Sequence, residues 1–432
     1  YLAQDITMDK ENFELLIRTS MEELETRFPR QLISRSIKIE EIPKKICALV
    51  GMRRSGKTTL LYQKIVALIR QKKPLTRILF LNFEDDRFSS LDEKEFGELV
   101  DTFYQLFPEN HSAECYLFFD EIQYVAHWPR VLRRLLDTKK VQITITGSSA
   151  KMLSTEIATA LRGRSLATEV FPFDFNEYLS SHSVKRPRVI GKPSQDVLLR
   201  HLRSYLLTGG FPEIQFVSGE SRIRILQDYV QVVTFRDIVE RYQVSNLVLI
   251  KRLIHALLCN VGRRYTVNKW FNDFKSEGIV VGKNTLYEYL DYISDAYLGF
   301  SVPLFSSSVK KQQINPKKFY AVDTGLVTAF SLTPERELGH YFENLIYLDL
   351  RRRGATLYYY LTKTGKEVDF LAVDTRGNME LIQVCWDIRD RKTREREEDA
   401  LAEAEAELGI KGRIVTPETY ILSVHEQTKS IK

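Results

Sequence analysis

Apolar residues fall along this chain in three rhythms. Between residues 45 and 150, short apolar runs (Ile46-Cys47-Ala48-Leu49-Val50, 78–83 and 116–119) and the strand-like 141–146 alternate with helically spaced sets such as Leu60, Leu61, Ile65, Leu68 and Ile69. Solid runs of this length read as strands buried on both faces, and their alternation with helices predicts a doubly wound parallel sheet. The 78–83 strand is expected beside the 45–50 strand. From 197 to 258 the period is helical: Leu198, Leu199, Leu202, Tyr205 and Leu206, then Ile223, Ile225, Leu226, Tyr229 and Val232. Val267, Trp270, Phe271 and Phe274 predict a short helix, and Gly278 and Gly282 bracket a turn. A second helix, starting at Asn284 or Lys283, carries Leu286, Tyr289, Leu290 and Ile293. Strands over 296–302 and 319–322 follow, flanking a basic stretch. The last third reads as a helix from Gly339, strands over 356–361, 367–373 and 381–386, and a mixed-charge run, 387–407, expected to be a solvated helix.

These changes of rhythm divide the chain into a helical segment (1–32), a P-loop α/β core (33–190), a helical and winged-helix module (195–322) and a C-terminal α/β domain (323–432). The best linker candidate runs from Pro187 to Ser194. Hydrophobic residues make up 44% of the 432 and charged residues 28%, which excludes a disordered chain, a fibre and a disulfide-stapled miniprotein. Lysine and arginine exceed the acids by 63 − 57 = 6, an excess that permits a nucleic-acid partner without demanding one. Cys47, Cys115, Cys259 and Cys385 form no CxxC pair, so reduced thiols in a cytoplasmic protein are expected rather than a zinc site. No apolar run reaches the roughly 20 residues that span a bilayer. The polar start after Tyr1 shows no signal-peptide pattern, and the lack of an initiator Met suggests that a few leading residues have been removed.

The chemistry begins where the first strand ends. Gly51-Met52-Arg53-Arg54-Ser55-Gly56-Lys57-Thr58-Thr59 is G-x-x-x-x-G-K-T between a strand and a helix, the context a P-loop requires. Its residues Gly51, Arg53, Arg54, Ser55, Gly56, Lys57, Thr58 and Thr59 are expected to cradle the phosphates of ATP. Lys57 should reach the β- and γ-phosphates, and the Thr58 hydroxyl should ligate Mg²⁺. The strand Tyr116-Leu117-Phe118-Phe119 ends in Asp120-Glu121, the end at which open α/β sheets bind ligands. Asp120 would hold the metal and Glu121 would polarise the attacking water. Ser148, with Thr146 and Ser149 as neighbours, either senses the γ-phosphate or lies in a plain Gly-Ser turn. Arg164 or Arg162 serves as an arginine finger or stays solvated; a finger acting across subunits requires a homo-oligomer. Arg236-Asp237 and Glu240-Arg241 read first as helix-surface ion pairs, and second as groups facing the nucleotide or a neighbouring subunit. In the winged-helix pattern, Lys283, Asn284 and Tyr287 on the second helix and Lys310, Lys311, Lys317 and Lys318 in the basic stretch are the candidate DNA contacts.

The set GMRRSGKTTLL, LFFDEIQ with Trp128 soon after, TGSSA, LRGR, FPFDFNEY and LTGGFPE resembles an AAA-type (AAA+) ATPase family of bacteria and archaea. That resemblance implies a C-terminal domain related to restriction endonucleases. Such a core needs two acids for Mg²⁺ and a lysine two residues after the second. Asp369 and Glu343 match acidic positions, but Gln383 stands at the second acid and Cys385 at the lysine. The domain is therefore expected to be nuclease-inactive unless Lys363 or Lys366 has moved into the role. The resulting expectation is Mg²⁺-dependent ATP hydrolysis coupled to DNA binding or remodelling, with branched or repair-intermediate DNA such as a Holliday junction included. A nucleotide-dependent switch binding a protein partner, as in defence or signalling, and an ATP-dependent nuclease are the alternatives.

Overall fold

Strand β1 (Ile46–Val50) is buried along its whole length, as its unbroken apolar sequence requires. It lies in a five-stranded sheet with β2 (Ile78–Asn82), β3 (Cys115–Asp120), β4 (Val141–Gly147) and β5 (Ser165–Glu169), in the order β2-β3-β4-β1-β5, every pairing parallel. Helices α1 (Lys10–Thr26), α2 (Lys57–Arg70), α3 (Glu93–Leu106) and α4 (Trp128–Thr138) accompany it. This computed structural model describes residues 10–26, 32–37, 39–40, 42–88, 91–148, 159, 161–185, 187, 189–306, 308, 312 and 316–430. Two units are distinguished: the chain to Gly51 with Gly56–Val170, and Met52–Ser55 with Phe171 onward.

The sheet order corrects one expectation. β2 lies at the edge beside β3, with Asn82 opposite Asp120, and β4 takes the place beside β1. β2 reads like an inner strand because α1 covers it: Phe13, Ile17 and Leu24 are buried, and the Ser20 hydroxyl donates to the Phe80 carbonyl. The acids after β2 are largely surface groups; Asp85 pairs with Arg87 at 2.6 Å, and that hydrogen bonding draws its carboxyl down to about 2.

The second unit contains α5 (Phe175–Ser181), α6 (Lys192–Thr208), α7 (Gly219–Val232), a π-helical continuation over Val233–Val239, and α8 (Leu247–Leu258). Then come β6 (Arg264–Tyr265), α9 (Val267–Ser276), α10 (Lys283–Asp295), β7 (Gly299–Val302) and β8 (Lys317–Ala321), the strands forming an antiparallel sheet β6-β8-β7. After α11 (Thr324–Thr328) the chain runs through α12 (Leu338–Arg352), β9 (Thr356–Leu361), β10 (Glu367–Val373), β11 (Met379–Val384), α13 (Arg391–Leu408), β12 (Gly412–Val415) and α14 (Pro417–Ser430). The sheet β12-β11-β10-β9 is antiparallel except for the parallel β11–β12 pair.

The Gly-Gly of LTGGFPE has a steric cause. Gly209 has φ 84°, and a Cβ there would stand 2.0 Å from Asp323 Oδ1; one on Gly210 would stand 2.2 Å from the Phe173 carbonyl. Asp323 accepts from the N–H groups of Gly210 (2.6 Å) and Gly325 (2.8 Å), and burial pushes its carboxyl up to about 6. The mixed-charge run departs from its expected solvation: α13 buries Glu397, Ala400, Leu401 and Ala404 against the C-terminal sheet.

Candidate functional site

The P-loop centre lies where β1, β3 and β4 end. Gly56 has φ 97°, a left-handed conformation that suits a residue without Cβ, and it caps α2. Lys57 follows as the first residue of α2. It is buried, donates to the Gly51 carbonyl at 3.1 Å and lies 3.5 Å from Glu121 Oε1. The Thr58 hydroxyl donates to Asp120 Oδ2 at 2.6 Å, and the Thr146 hydroxyl to Asp120 Oδ1 at 2.5 Å. The same Thr146 oxygen accepts the Glu121 N–H at 2.9 Å. Glu121 has φ 50° and ψ 48°, an uncommon conformation for a side-chain-bearing residue, and Gln123 donates to its Oε2 at 2.5 Å. Burial, then the Glu121 charge, push the Asp120 carboxyl up to about 6, while Thr146 and Thr58 hold it from rising further.

Lys57, Thr58, Asp120 and Glu121 thus come together, and Thr146 joins them. Its signal is the Ile-Thr-Ile-Thr alternation of β4: Thr144 and Thr146 share a face, and Lys64 reaches Thr144 at 3.1 Å. Ser148 is buried just beyond Gly147, which pairs with Val50 at the P-loop end of β1; Ser149 lies outside the described residues. Arg162 and Arg164 are not brought to this centre. Arg164 precedes β5 and its carbonyl accepts from the Ile46 N–H at 2.8 Å, at the opposite end of β1 from the loop. The length of β1, about 3.3 Å per residue, separates the two ends. The Arg164 side chain pairs with Asp137, and Arg162 is exposed with φ 50°. β5 itself had no clear sequence signal, because Ser165-Leu166-Ala167-Thr168-Glu169 is mostly polar or small and only partly buried.

In the second unit, the side chains of the loop-tip arginines are engaged with acids. Arg53 pairs with buried Asp237 at 2.9 Å; Arg54 pairs with Glu213 and lies 5.0 Å from the centre of the Tyr229 ring. Asp237 sits in the π-helical stretch and also meets Arg241 at 3.4 Å, while Arg236 pairs with Glu240 at 3.1 Å; both are i,i+4 ion pairs, the second at the surface and the first built on a buried acid.

Residues 43–179 match the model of an AAA domain, and 199–337 and 338–431 match two domains of unknown function, DUF8612 and DUF4143. The uncharacterized protein MJ1544 of Methanocaldococcus jannaschii is 36% identical over 394 residues, covering 90% of this chain and 85% of its own length. An uncharacterized protein of Haemophilus influenzae is 30% identical over 333 residues, 76% of this chain and 79% of its own. The chain belongs to this family of AAA-domain P-loop ATPases. A solved Walker-type ATPase of Pyrococcus abyssi is similar at 14% identity and a TM-score of 0.41, over 76% of this chain and 97% of its own.

This ATPase holds a second polar centre, inside its second unit. Glu343 on α12, Glu367 and Asp369 on β10 and Gln383 on β11 line a cavity of about 840 Å³ together with Lys318. Lys318 overturns its expected place on an exposed basic wing. It is buried, and its ammonium lies 2.7 Å from Glu367 Oε1, 2.8 Å from Glu343 Oε1 and 3.0 Å from Asp369 Oδ1. The cause is strand alternation: Lys318 and Tyr320 share one face of β8, and the Tyr320 hydroxyl also donates to Glu343 Oε1, at 2.6 Å. Burial opposes charge on Glu343, but Lys318, His340 and Tyr320 outweigh it and hold the carboxyl below its usual range. Burial and the Glu343 charge raise Asp369. Cys385 is buried, which pushes its thiol up and keeps it neutral. Lys366 lines the cavity, but its ammonium turns to Glu403 at 3.5 Å; Lys363 is exposed.

Of the other candidate DNA contacts, Lys283, Asn284 and Tyr287 are exposed on α10, and Lys317 is half-buried. Lys310 and Lys311 lie outside the described residues. None of the four cysteines is in a disulfide. Among the described residues no helix is long and apolar enough to cross a membrane.

Proposed function

We propose that this P-loop ATPase is of the AAA+ type, hydrolyses ATP with Mg²⁺ at the P-loop centre, and couples the cycle to DNA. The observation that carries the hydrolytic reading is the Thr58–Asp120 contact of 2.6 Å with Lys57 and Glu121 beside it. A buried carboxylate hydrogen-bonded to the hydroxyl of the P-loop threonine is a hard-oxygen donor set that fits Mg²⁺. Thr58 and Asp120 would hold the ion, which supplies positive charge to the β- and γ-phosphates. Lys57 balances charge on the phosphates. Glu121, fixed at Oε2 by Gln123 and at its backbone by Thr146, takes the proton of the attacking water at Oε1. Arg164 can contribute only from a neighbouring copy, given its place at the far end of β1.

Two features support the DNA part. Helices α8, α9 and α10 with the sheet β6-β8-β7 suit a winged-helix module, and α10 opens with exposed Lys283, Asn284 and Tyr287. The order α12-β9-β10-β11-α13-β12 suits a restriction-endonuclease-like domain. The test is ATPase rate with single-stranded, duplex and four-way-junction DNA, with Lys57→Ala alongside. Stimulation by one form, reduced in a Lys283→Ala/Tyr287→Ala variant, is expected. A rate indifferent to every DNA would remove the DNA reading and leave the protein-binding switch.

A further inference from the structure

The cavity of the second unit has the acids of a metal-dependent phosphodiesterase centre, but the residues do not fit a divalent ion. An ammonium has three protons, and three carboxylate oxygens, from Glu343, Glu367 and Asp369, stand around Lys318 Nζ at 2.7 to 3.0 Å. Further donors are already in place on the same acids. Tyr320 donates to Glu343 Oε1, the Val384 N–H to Asp369 Oδ2 at 3.0 Å, and Arg264 meets Glu367 Oε2 at 3.1 Å. Gln383 bridges within the protein: its oxygen accepts from the Asp369 N–H at 3.2 Å and its amide donates to Glu397. Among the described residues no group of three His, Cys, Asp or Glu side chains is placed to hold a metal.

The ammonium is also fixed in place. Lys318 is paired through β8 to Val302 of β7 on one side and Arg264 of β6 on the other, and its side chain is enclosed. Withdrawing it would leave the buried Glu343 and Asp369 without their ammonium partner, a cost of several kcal/mol. We propose that Lys318 is the resident cation of this cavity: it takes the place a divalent ion would take among Glu343, Glu367 and Asp369. The cavity therefore holds no divalent ion and performs no metal-assisted cleavage, and removing the ammonium converts it into a divalent-cation site. This holds whether or not the ATPase acts on DNA.

The test measures Mn²⁺ binding by electron paramagnetic resonance of the free ion. It uses nucleotide-free chain carrying Thr58→Ala and Asp120→Asn, which removes both groups expected to hold an ion at the P-loop centre. With Lys318 present, no site is expected. Lys318→Met should tighten Mn²⁺ binding at least about 10-fold, since affinity follows the uncompensated ligand charge, and Asp369→Asn added to it should abolish the gain. A folded Lys318→Met chain with no gain overturns the proposal. So does Asp369-dependent Mn²⁺ binding with Lys318 intact, which would mean that the ammonium yields to the metal and serves a bound phosphate instead. That second arm needs no Lys318 variant, so it decides the matter even if Lys318→Met fails to fold.

Discussion

Each unit of this ATPase joins buried acids to a buried lysine, and the two pairings differ in how closely the acids approach the ammonium. Lys57 meets a backbone carbonyl at 3.1 Å and its carboxylate only at 3.5 Å, while hydroxyl groups, not ammonium, hold Asp120. Lys318 has three carboxylate oxygens within 3.0 Å. In the first arrangement Asp120 accepts from the hydroxyls of Thr58 and Thr146, a pairing that suits a centre that receives a charged ligand. In the second, each of the three ammonium protons faces a carboxylate oxygen. A lysine beside acids is therefore informative only with its distances.

The largest effect expected is on catalysis. Glu121→Gln should lower kcat by about 10²- to 10⁴-fold, the usual worth of a general base. Glu343→Gln, which alters only the Lys318 centre, should leave ATPase rate within about 2-fold, as independent sites do. A comparable loss in both would break the contrast between the two centres. Next comes stability. Lys318→Met should cost about 3–5 kcal/mol in urea unfolding, because it strands buried carboxylates. Lys57→Met, whose carboxylate neighbour is farther away, should cost distinctly less; equal costs would mean that Lys57 is as closely paired as Lys318.

Thr146→Val sharpens the P-loop side alone. It leaves the Glu121 N–H and one Asp120 oxygen without their partner, so a loss of about 1–3 kcal/mol is expected in the same unfolding experiment. Of similar size is a pH effect, since a shift of about two pKa units corresponds to about 2.7 kcal/mol. The native Asp120 carboxyl titrates near 6, above its unfolded value of about 3.9. The native state thus binds this proton more tightly, and the stabilisation, complete below about pH 4, is lost as pH rises through about 6. Mg²⁺ needs the ionised form, so melting curves should show its effect growing above that pH, and Asp120→Asn should flatten both trends. Least of all, Arg164→Ala should change stability by under about 0.5 kcal/mol, its ion pair being half-exposed. A drop in ATPase rate confined to high protein concentration would place that arginine in a neighbour's site.

The P-loop side was far more legible in the sequence than the Lys318 cavity, for physical reasons. Gly51 to Thr59 and Tyr116 to Glu121 are local patterns in which neighbouring residues supply the chemistry. Thr146 was half-visible through alternation but stood behind Ser148 as a candidate. The position of β2 was hidden because α1 buries an edge strand as thoroughly as a partner strand would. Lys318 was misread because four lysines between 310 and 318 suggest a solvated wing, whereas only the pleat of β8 tells that residue 318 faces inward with Tyr320. Glu343, Asp369 and Gln383 were picked out individually, but their cation lies in another segment of the chain, and no spacing rule connects them.

Lys318 precedes the boundary at 337 and 338 where one matched domain ends and the next begins, while its three acids follow it. Were relatives to exchange only their C-terminal segments, the recipient would inherit three negative charges tuned to a lysine left behind in the donor. For this contact the two segments depend on each other: a chimera joined at that seam keeps the pairing only if its other parent carries a cation at the same point of the same strand.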